Sequence, residues 1–455
     1  MTASANPESG WSPAATWTRE QVVAASNAVL AAPQGAVSET EDIFRVHELG
    51  LDWDIGVRVY TPAGEMARGA DEKKIGVFLL HGGAGDFKSM ERFAMLFAAR
   101  FSCKVVTMTF PGRLFLDDPS RDWPGDTINA DGSVRTPLWL AGERVAREDY
   151  DLVKDTGKRM KYGTRHLARA KPGTRFYARM ASWPAAFETG MKTACARHFP
   201  PDEFSIYVHG HSTGGPYVSM LSQRVENIAG VIAIENSTFG FINEKKHQWG
   251  GHVGKIEGYK PVARKSADSW HDPFNELYIR TWRDLARYRG SEALGQEGPQ
   301  ALMRLPWLME EVLEAWDVAK ARPQFKAEYM VTHNILGALR EAATVSAARL
   351  GLDAAGRDAL IARFTGYTRP TEGGKRVPPF LFVISKDSRD HSPEVYAEVI
   401  LPMFAAMSPA PRVAVTRMMA GVHTYRKPEP ELPMGIAPAA ARYYMDAIKG
   451  GFFIQ

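Results

Sequence analysis

Short, mainly apolar runs, separated by stretches of helical length, limit what this chain can fold into more than any other feature of it. They are Ile75 to Leu80, Val105 to Phe110, Phe204 to Val208, Ile228 to Ile234, Phe380 to Ile384 and Arg412 to Met418. A strand with one wet face alternates apolar and polar residues. One buried on both faces does not, and that is the pattern of parallel strands covered by helices. Helical patterns lie between or after the runs, over Lys88 to Arg100, Ala185 to His198, Pro216 to Val225, Pro393 to Met407 and Pro438 to Ile448. Two more strand candidates come earlier, Ile43 to Leu51 and Asp54 to Tyr60, and their short polar separation predicts an antiparallel pair. Together these predict an α/β protein with about eight strands, mostly parallel, and helices on both faces.

Upstream, Thr18-Arg-Glu-Gln21 is a capping-box pattern followed by Val22, Val23, Ala24 and Val29, so a helix should begin near Thr18. Residues 1–15, polar with Pro and Gly, read as a loose tail. Connections between strand and helix usually run about 2 to 6 residues, and two intervals far exceed that. The first, 113–183, contains the turn-rich WPGDTINADGSV and then, from Arg144 to Arg179, eleven Lys or Arg against four Asp or Glu. A solvated insertion surface is the plainer reading of that charge, and recognition of an anionic substrate the sharper one. The second, 239–378, carries helical patterns at Asn275 to Tyr288, Leu305 to Ala321 and Ala327 to Leu350, and its tryptophans include Trp249, Trp270, Trp282, Trp307 and Trp316. It reads as a helical cap whose aromatics form its own core and part of a pocket roof. The expected organisation is a core of residues 16–238 and 379–455, interrupted by an insertion at 113–183 and the cap at 239–378.

Of the 455 residues, 45% are hydrophobic and 24% charged, which is globular rather than disordered composition. A net charge of +4 leaves no polyelectrolyte excess to drive binding to nucleic acid or an anionic membrane. Cys103 and Cys195 allow at most one disulfide and rule out a four-cysteine zinc site. The N-terminus lacks a basic segment followed by an apolar one, and no membrane-length apolar run occurs. These features predict a cytoplasmic protein without nucleic-acid or membrane partners; oligomeric state is not legible.

The sharpest local signal is His209-Gly210-His211-Ser212-Thr213-Gly214-Gly215, where an apolar run ends in G-x-S-x-G and a helical pattern follows. The bare pattern is weak; the strand-turn-helix setting gives it weight. There the sharp turn strains the Ser212 backbone and exposes its hydroxyl, while Gly210 and Gly214 leave room for close packing. The plainer alternative is a tight turn with a helix-capping serine. A second glycine-rich stretch, Leu80-His81-Gly82-Gly83-Ala84-Gly85-Asp86, follows the first buried parallel strand. Beside a serine nucleophile, the backbone N–H of Gly83, or less surely Ala84, and that of Thr213 would form an oxyanion hole. As a phosphate loop the stretch lacks both the Walker ending and the G-x-G-x-x-G spacing. The pair His209 and His211 suggests a metal, but no third ligand stands at suitable spacing, so no metal is expected.

On these motifs the chain resembles the α/β-hydrolase-fold serine hydrolases. The resemblance covers roughly residues 40–112, 185–237 and 379–449, and leaves out both insertions. It implies the catalytic order of that family, with the histidine in the loop after the last strand; here that is His423, with His391 the weaker alternative. For the acid, most members use the loop after the penultimate strand, which here offers Asp387 and Asp390. A smaller group of bacterial esterases uses a Glu after the strand that follows the nucleophile. Glu235, at the end of Val231-Ile-Ala-Ile234 and 23 residues beyond Ser212, matches that arrangement and is preferred. The resemblance implies an acyl-enzyme route on a small-molecule carboxylic ester, bulky and apolar if the cap covers the pocket, with no cofactor. An amidase, a peptidase, a carbon-carbon bond hydrolase or a non-catalytic binding protein could use the same fold.

Overall fold

From Thr16 the chain forms β1 (Thr16–Trp17), α1 (Arg19–Ala31), β2 (Val37–Glu48), β3 (Leu51–Pro62), β4 (Lys74–Leu80), α2 (Glu91–Met95), β5 (Lys104–Met108), β6 (Tyr150–Lys154), β7 (His166–Ala170), α3 (Arg175–His198), β8 (Phe204–Gly210), β9 (Ile228–Ile234), β10 (Tyr278–Ile279), α4 (Ala354–Thr365), β11 (Phe380–Asp387), β12 (Val413–Val422) and α5 (Ala437–Lys449). The computed structural model describes residues 12–48, 51–82, 87–111, 146–154, 166–170, 174–211, 214–215, 218, 222, 225–235, 278–279, 351–365, 377–388, 401, 405 and 410–455.

The main sheet has nine strands in the order β1-β12-β11-β9-β8-β4-β5-β3-β2. Every pairing from β1 to β5 is parallel; β3 runs antiparallel to β5, and β2 antiparallel to β3. Central strands carry side chains alternately on the two faces. On one face Ile75, Val77 and Leu79, together with Val105, Tyr207, Ile232, Ile234, Leu381 and Val383, join residues of α1, α2 and α5 in a single core cluster. The alanines of α5, Ala437, Ala439, Ala440, Ala441 and Ala447, are buried there and let the helix approach the sheet closely. On the other side, Gly190 of α3 lies against Ile55, the Phe187 and Phe110 rings meet edge to face at 5.5 Å, and Phe199 fills the space beside Gly76.

The two early strand candidates do form an antiparallel pair, in continuous register from Val37 opposite Pro62 to Glu48 opposite Leu51. Thr18 caps α1 as expected: its side chain accepts from Gln21 N–H, and the Gln21 side chain accepts from Thr18 N–H at 2.8 Å. The expected sheet of about eight mostly parallel strands is present, with Thr16–Trp17 as a ninth, short edge strand beside Arg417 and Met418 among the described residues. Two expectations need correcting. Helix α3 starts at Arg175, ten residues before the expected Ala185, and runs through Pro184 despite the N–H that a proline lacks. Within the helical pattern over Asn275 to Tyr288, the described residues Tyr278 and Ile279 instead pair antiparallel with β7, in a small sheet of order β10-β7-β6. Otherwise the expected cap at 239–378 lies outside the described residues, apart from 278–279, 351–365 and 377–378. Cys103 and Cys195 are free and buried, and burial pushes both thiols up, away from thiolate reactivity. Among the described residues, no helix is long and apolar enough to cross a membrane.

Strand order sets where chemistry can sit. Consecutive connections lead from β4 outward to β5 and then return to β8 on the other side of β4, so the sheet reverses direction between β4 and β8. Clefts at the carboxyl ends of strands open at such a point. Here the ends of the two strands are held together, Leu80 opposite Gly210, with His211 N–H donating to Leu80 C=O at 2.9 Å. Beyond Gly210 the backbone doubles back: a Cβ on Gly210 would collide with the Gly214 carbonyl and stand 2.7 Å from Gly215 N. Gly210→Ala should therefore lower stability by about 3 kcal/mol or more, seen as a fall in the urea midpoint. An unchanged midpoint would contradict this close approach.

Candidate active site

Parallel strands deliver their carboxyl ends to one edge of the sheet, and five of them converge here: β4 with His81, β8 with His209 and His211, β9 with Glu235, β11 with Ser385 and Ser388, and β12 with His423.

Glu235 is the residue most tightly held. It is 1% exposed and its backbone is left-handed, with φ of 50°, a conformation that costs a non-glycine residue about 1 kcal/mol or more. Its two oxygens meet four donors. Oε1 accepts from Ser385 N–H at 2.8 Å and Ser385 Oγ–H at 2.7 Å; Oε2 accepts from Ser388 Oγ–H at 2.7 Å and His423 Nδ1–H at 3.3 Å. An ionised carboxylate has lone pairs for all four. The last contact lies at the outer limit of hydrogen-bond length. It fixes the proton of His423 on Nδ1, so that Nε2 is the unprotonated ring nitrogen of this tautomer. The His423 side chain is 14% exposed and that of Glu235 is not exposed at all, so the pair has one wet end and one dry end.

The loop carrying His423 is anchored from below. Tyr425 is fully buried, its ring edge-on to Phe93, His209 and His211. Burial pushes its phenol up to about 12, so it remains a donor. Its hydroxyl meets His209 Nε2 at 3.2 Å, while His209 Nδ1–H donates to Ile232 C=O at 3.0 Å. Both ring nitrogens of His209 are thus engaged within the fold, and burial lowers its pKa to about 3. His211 is also buried; its Nε2–H donates to the His423 carbonyl at 3.1 Å. Burial first, then the neighbouring His423 and Arg426, pushes it well below the ordinary histidine range. Among the described residues no group of three His, Cys, Asp or Glu side chains is placed to hold a metal.

His81 fixes the glycine loop after β4. Phe110 N–H donates to its Nε2 at 3.1 Å, so Nδ1 carries the proton and donates to Gly82 C=O at 2.7 Å. Gly214 N–H closes a turn onto His211 C=O at 2.8 Å, and a Cβ on Gly214 would stand 2.6 Å from His81 C=O. Ser212, Thr213, Gly83, Ala84, Asp390 and His391 lie outside the described residues. Of the expected site residues, the structure therefore brings together Glu235 and His423. Asp387 is exposed at the carboxyl end of β11, opposite Val422. Sequence reasoning passed over Ser385, Ser388 and Tyr425. The two serines flank the loop that drew attention only for its aspartates, and Tyr425 stands two residues beyond His423.

No family model matches the chain, and no curated protein does. The chain is similar to solved structures at low identity. A thermostable esterase from Pseudomonas putida is 11% identical, the match covering 95% of this chain and 89% of that one, with a TM-score of 0.34. Esterases from Rhizomucor miehei are 12% identical over 95% and 90%, at 0.36. A peroxisomal alpha-beta-hydrolase from Saccharomyces cerevisiae is 10% identical over 91% and 89%, at 0.34. The fold is defined by the chain's own strand order, antiparallel at its start and parallel thereafter, with a G-x-S-x-G sequence leaving a central strand: it is the α/β-hydrolase fold.

Burying neutral His209 has a pH signature. An unfolded histidine takes up a proton near 6.5, the folded one only near 3, so in that window the unfolded state binds more protons. Stability due to this residue is complete above about 6.5 and is lost as pH falls toward 3, by at most ~1.4 kcal/mol per pH unit. His209→Asn keeps a donor near the Nδ1 position and removes the titration. The unfolding free energy of the wild type minus that of the variant should therefore fall as urea titrations move from pH 6.5 to 5. A pH-independent difference would contradict the buried neutral state.

Proposed function

We propose that the protein is a serine hydrolase that cleaves a carboxylic ester through an acyl-enzyme. One observation carries the reading: the Glu235 carboxylate, saturated with donors at the end of β9, reaches Nδ1 of His423 at 3.3 Å on the sheet edge where the G-x-S-x-G turn leaves β8. Ser212 is the nucleophile, His423 the general base and Glu235 the acid that orients it. As Oγ of Ser212 bonds to the ester carbonyl, its proton passes to Nε2 of His423, and Glu235 stabilises the imidazolium. The backbone N–H groups of Gly83 and Thr213 hold the oxyanion. Collapse breaks the bond to the alcohol oxygen, which leaves with the His423 proton. Water, deprotonated by His423, then attacks the acyl group and releases the carboxylic acid and free Ser212. No cofactor enters these steps. The length of the 239–378 insertion supports a bulky, apolar small-molecule ester as the substrate class.

A fluorophosphonate probe and a p-nitrophenyl ester test the reading directly. The probe should label Ser212, and Ser212→Ala should abolish labelling and lower kcat by about 10⁴ to 10⁶. His423→Ala should cost a similar factor, with little added by combining the two, because they act as one unit. A Ser212→Ala variant retaining more than a few per cent of the wild-type rate would overturn the assignment.

The acid has its own test. In Glu235→Gln the amide NH₂ must face one pair of donors. Ser385 N–H cannot turn away, so the NH₂ faces Ser388 and His423; the serine hydroxyl can rotate, but the Nδ1–H cannot. His423 is then driven to the other tautomer, with its proton on the nitrogen that should act as base. We expect kcat to fall by about 10² to 10⁴, while Asp387→Asn and Asp390→Asn stay close to wild type. The reverse ranking would move the acid to the β11 loop.

A further inference from the structure

The G-x-S-x-G turn and the loop bearing His423 come from strands three places apart in the sheet, with β9 and β11 between them. Catalysis by the route proposed above needs nucleophile and base at a fixed separation, since a misplacement of about 1 Å can cost about 10²-fold. His211 spans that gap. Its N–H donates to Leu80 C=O at 2.9 Å, its C=O accepts from Gly214 N–H at 2.8 Å, and its side chain reaches across to the carbonyl of His423. A carbonyl only accepts, so Nε2 of His211 carries the proton in this contact. His423 is consequently held at both ends, its backbone by His211 and its ring Nδ1 by Glu235.

We propose that His211 is a positioning residue for the base: its Nε2–H fixes the backbone of His423 relative to the turn that carries Ser212. The inference rests on the reading of Ser212 and His423 as nucleophile and base. The two imidazoles lie 5.2 Å apart, tilted by 33°, close enough that a charge on His211 would oppose the imidazolium forming on His423. The surroundings keep His211 uncharged. It is buried against Tyr425, and the titratable or charged groups that act on it are His209, His423 and Arg426. None of these is an anion that would favour a second proton.

The test compares His211→Gln with His211→Asn. Both are polar and no larger than histidine, but the Gln amide nitrogen falls near the place of imidazole Nε2, whereas that of Asn falls near Nδ1 and cannot reach the carbonyl. With a p-nitrophenyl ester, His211→Asn should lower kcat by about 10- to 100-fold, with KM within about 2-fold because His211 binds no substrate in this reading. His211→Gln should keep kcat within about 3-fold of wild type. A structural residue alone would lower the urea midpoint in both variants without this split. If neither variant accumulates folded, ¹⁵N NMR of histidine-labelled wild-type protein decides: His211 should remain a neutral Nε2–H tautomer down to pH 5. A His211 that titrates near 6.5, or that carries its proton on Nδ1, overturns the proposal. So do equal kcat values for the Asn and Gln variants in a protein whose Ser212 takes the fluorophosphonate. A wild type that neither takes the probe nor turns over the ester overturns this proposal and the hydrolase reading together.

Discussion

A parallel strand cannot be reached by a tight turn; each needs a crossover that brings the chain back to the same end of the sheet. That one constraint places the carboxyl ends of β4, β8, β9, β11 and β12 along a single edge, although their residues are scattered from 80 to 423 in sequence. Separation along the chain becomes adjacency across about 4.8 Å of strand spacing. The same constraint explains why Glu235 can serve His423 from β9. The β11 end stands between them and lends hydroxyls and an N–H rather than a carboxylate. A carboxylate one strand further in needs a longer reach, and the left-handed backbone of Glu235 at the very end of β9 belongs to that placement.

Burial decides the chemistry of the polar groups along this edge. His81, His209, His211 and Glu235 are each less than a tenth exposed, and the side chain of each hydrogen-bonds within the fold. An unsatisfied buried polar group costs about 1 to 3 kcal/mol, so a cluster of this kind persists only when every member is answered. His209 and His81 show how tautomers are set by partners rather than by the rings. Carbonyls face Nδ1 in both, while a hydroxyl or a backbone N–H faces Nε2. His423 differs from these four in that its ring is partly exposed, as the base role proposed for it requires.

The core was legible because a doubly buried strand leaves no alternation in its sequence. Ile228–Ile234 is a strand with the predicted bounds, and Thr18 with Gln21 forms the reciprocal cap that its spacing implies. Helix α3 begins ten residues before the expected Ala185 and runs through Pro184, because a missing N–H weakens a helix without ending it when the Phe187 to His198 part is seated on the sheet. The edge strand Thr16–Trp17 is too short to show a period of two, and the pairing of Tyr278 with β7 depends on a partner more than a hundred residues away, which no local window contains. Glu235 and His423 could be named from what the resemblance implies about the ends of the strands. Ser385, Ser388 and the cross-contact of His211 could not, since serine and histidine are common in turns and their meaning here is entirely a matter of who faces them.

The two histidines flanking Gly210 take different places in the fold. Residues i and i+2 of a strand point to the same face, which is how a two-histidine metal motif begins. At the end of β8 the second member has already left the strand: His209 lies within it, and His211 is beyond its last residue, in the turn. Their rings diverge to different tasks, His209 bridging β9 and Tyr425, His211 reaching His423. Both tasks converge on residues 423–425, so the end of β8, from which the G-x-S-x-G sequence departs, also holds the loop that carries His423. Among the described residues, the hydrogen bonds that tie residues 423–425 to the end of β8 come from His209 and His211 and from neither insertion, so they add a direct link between β8 and that loop beside the one that runs through Glu235 and the end of β11.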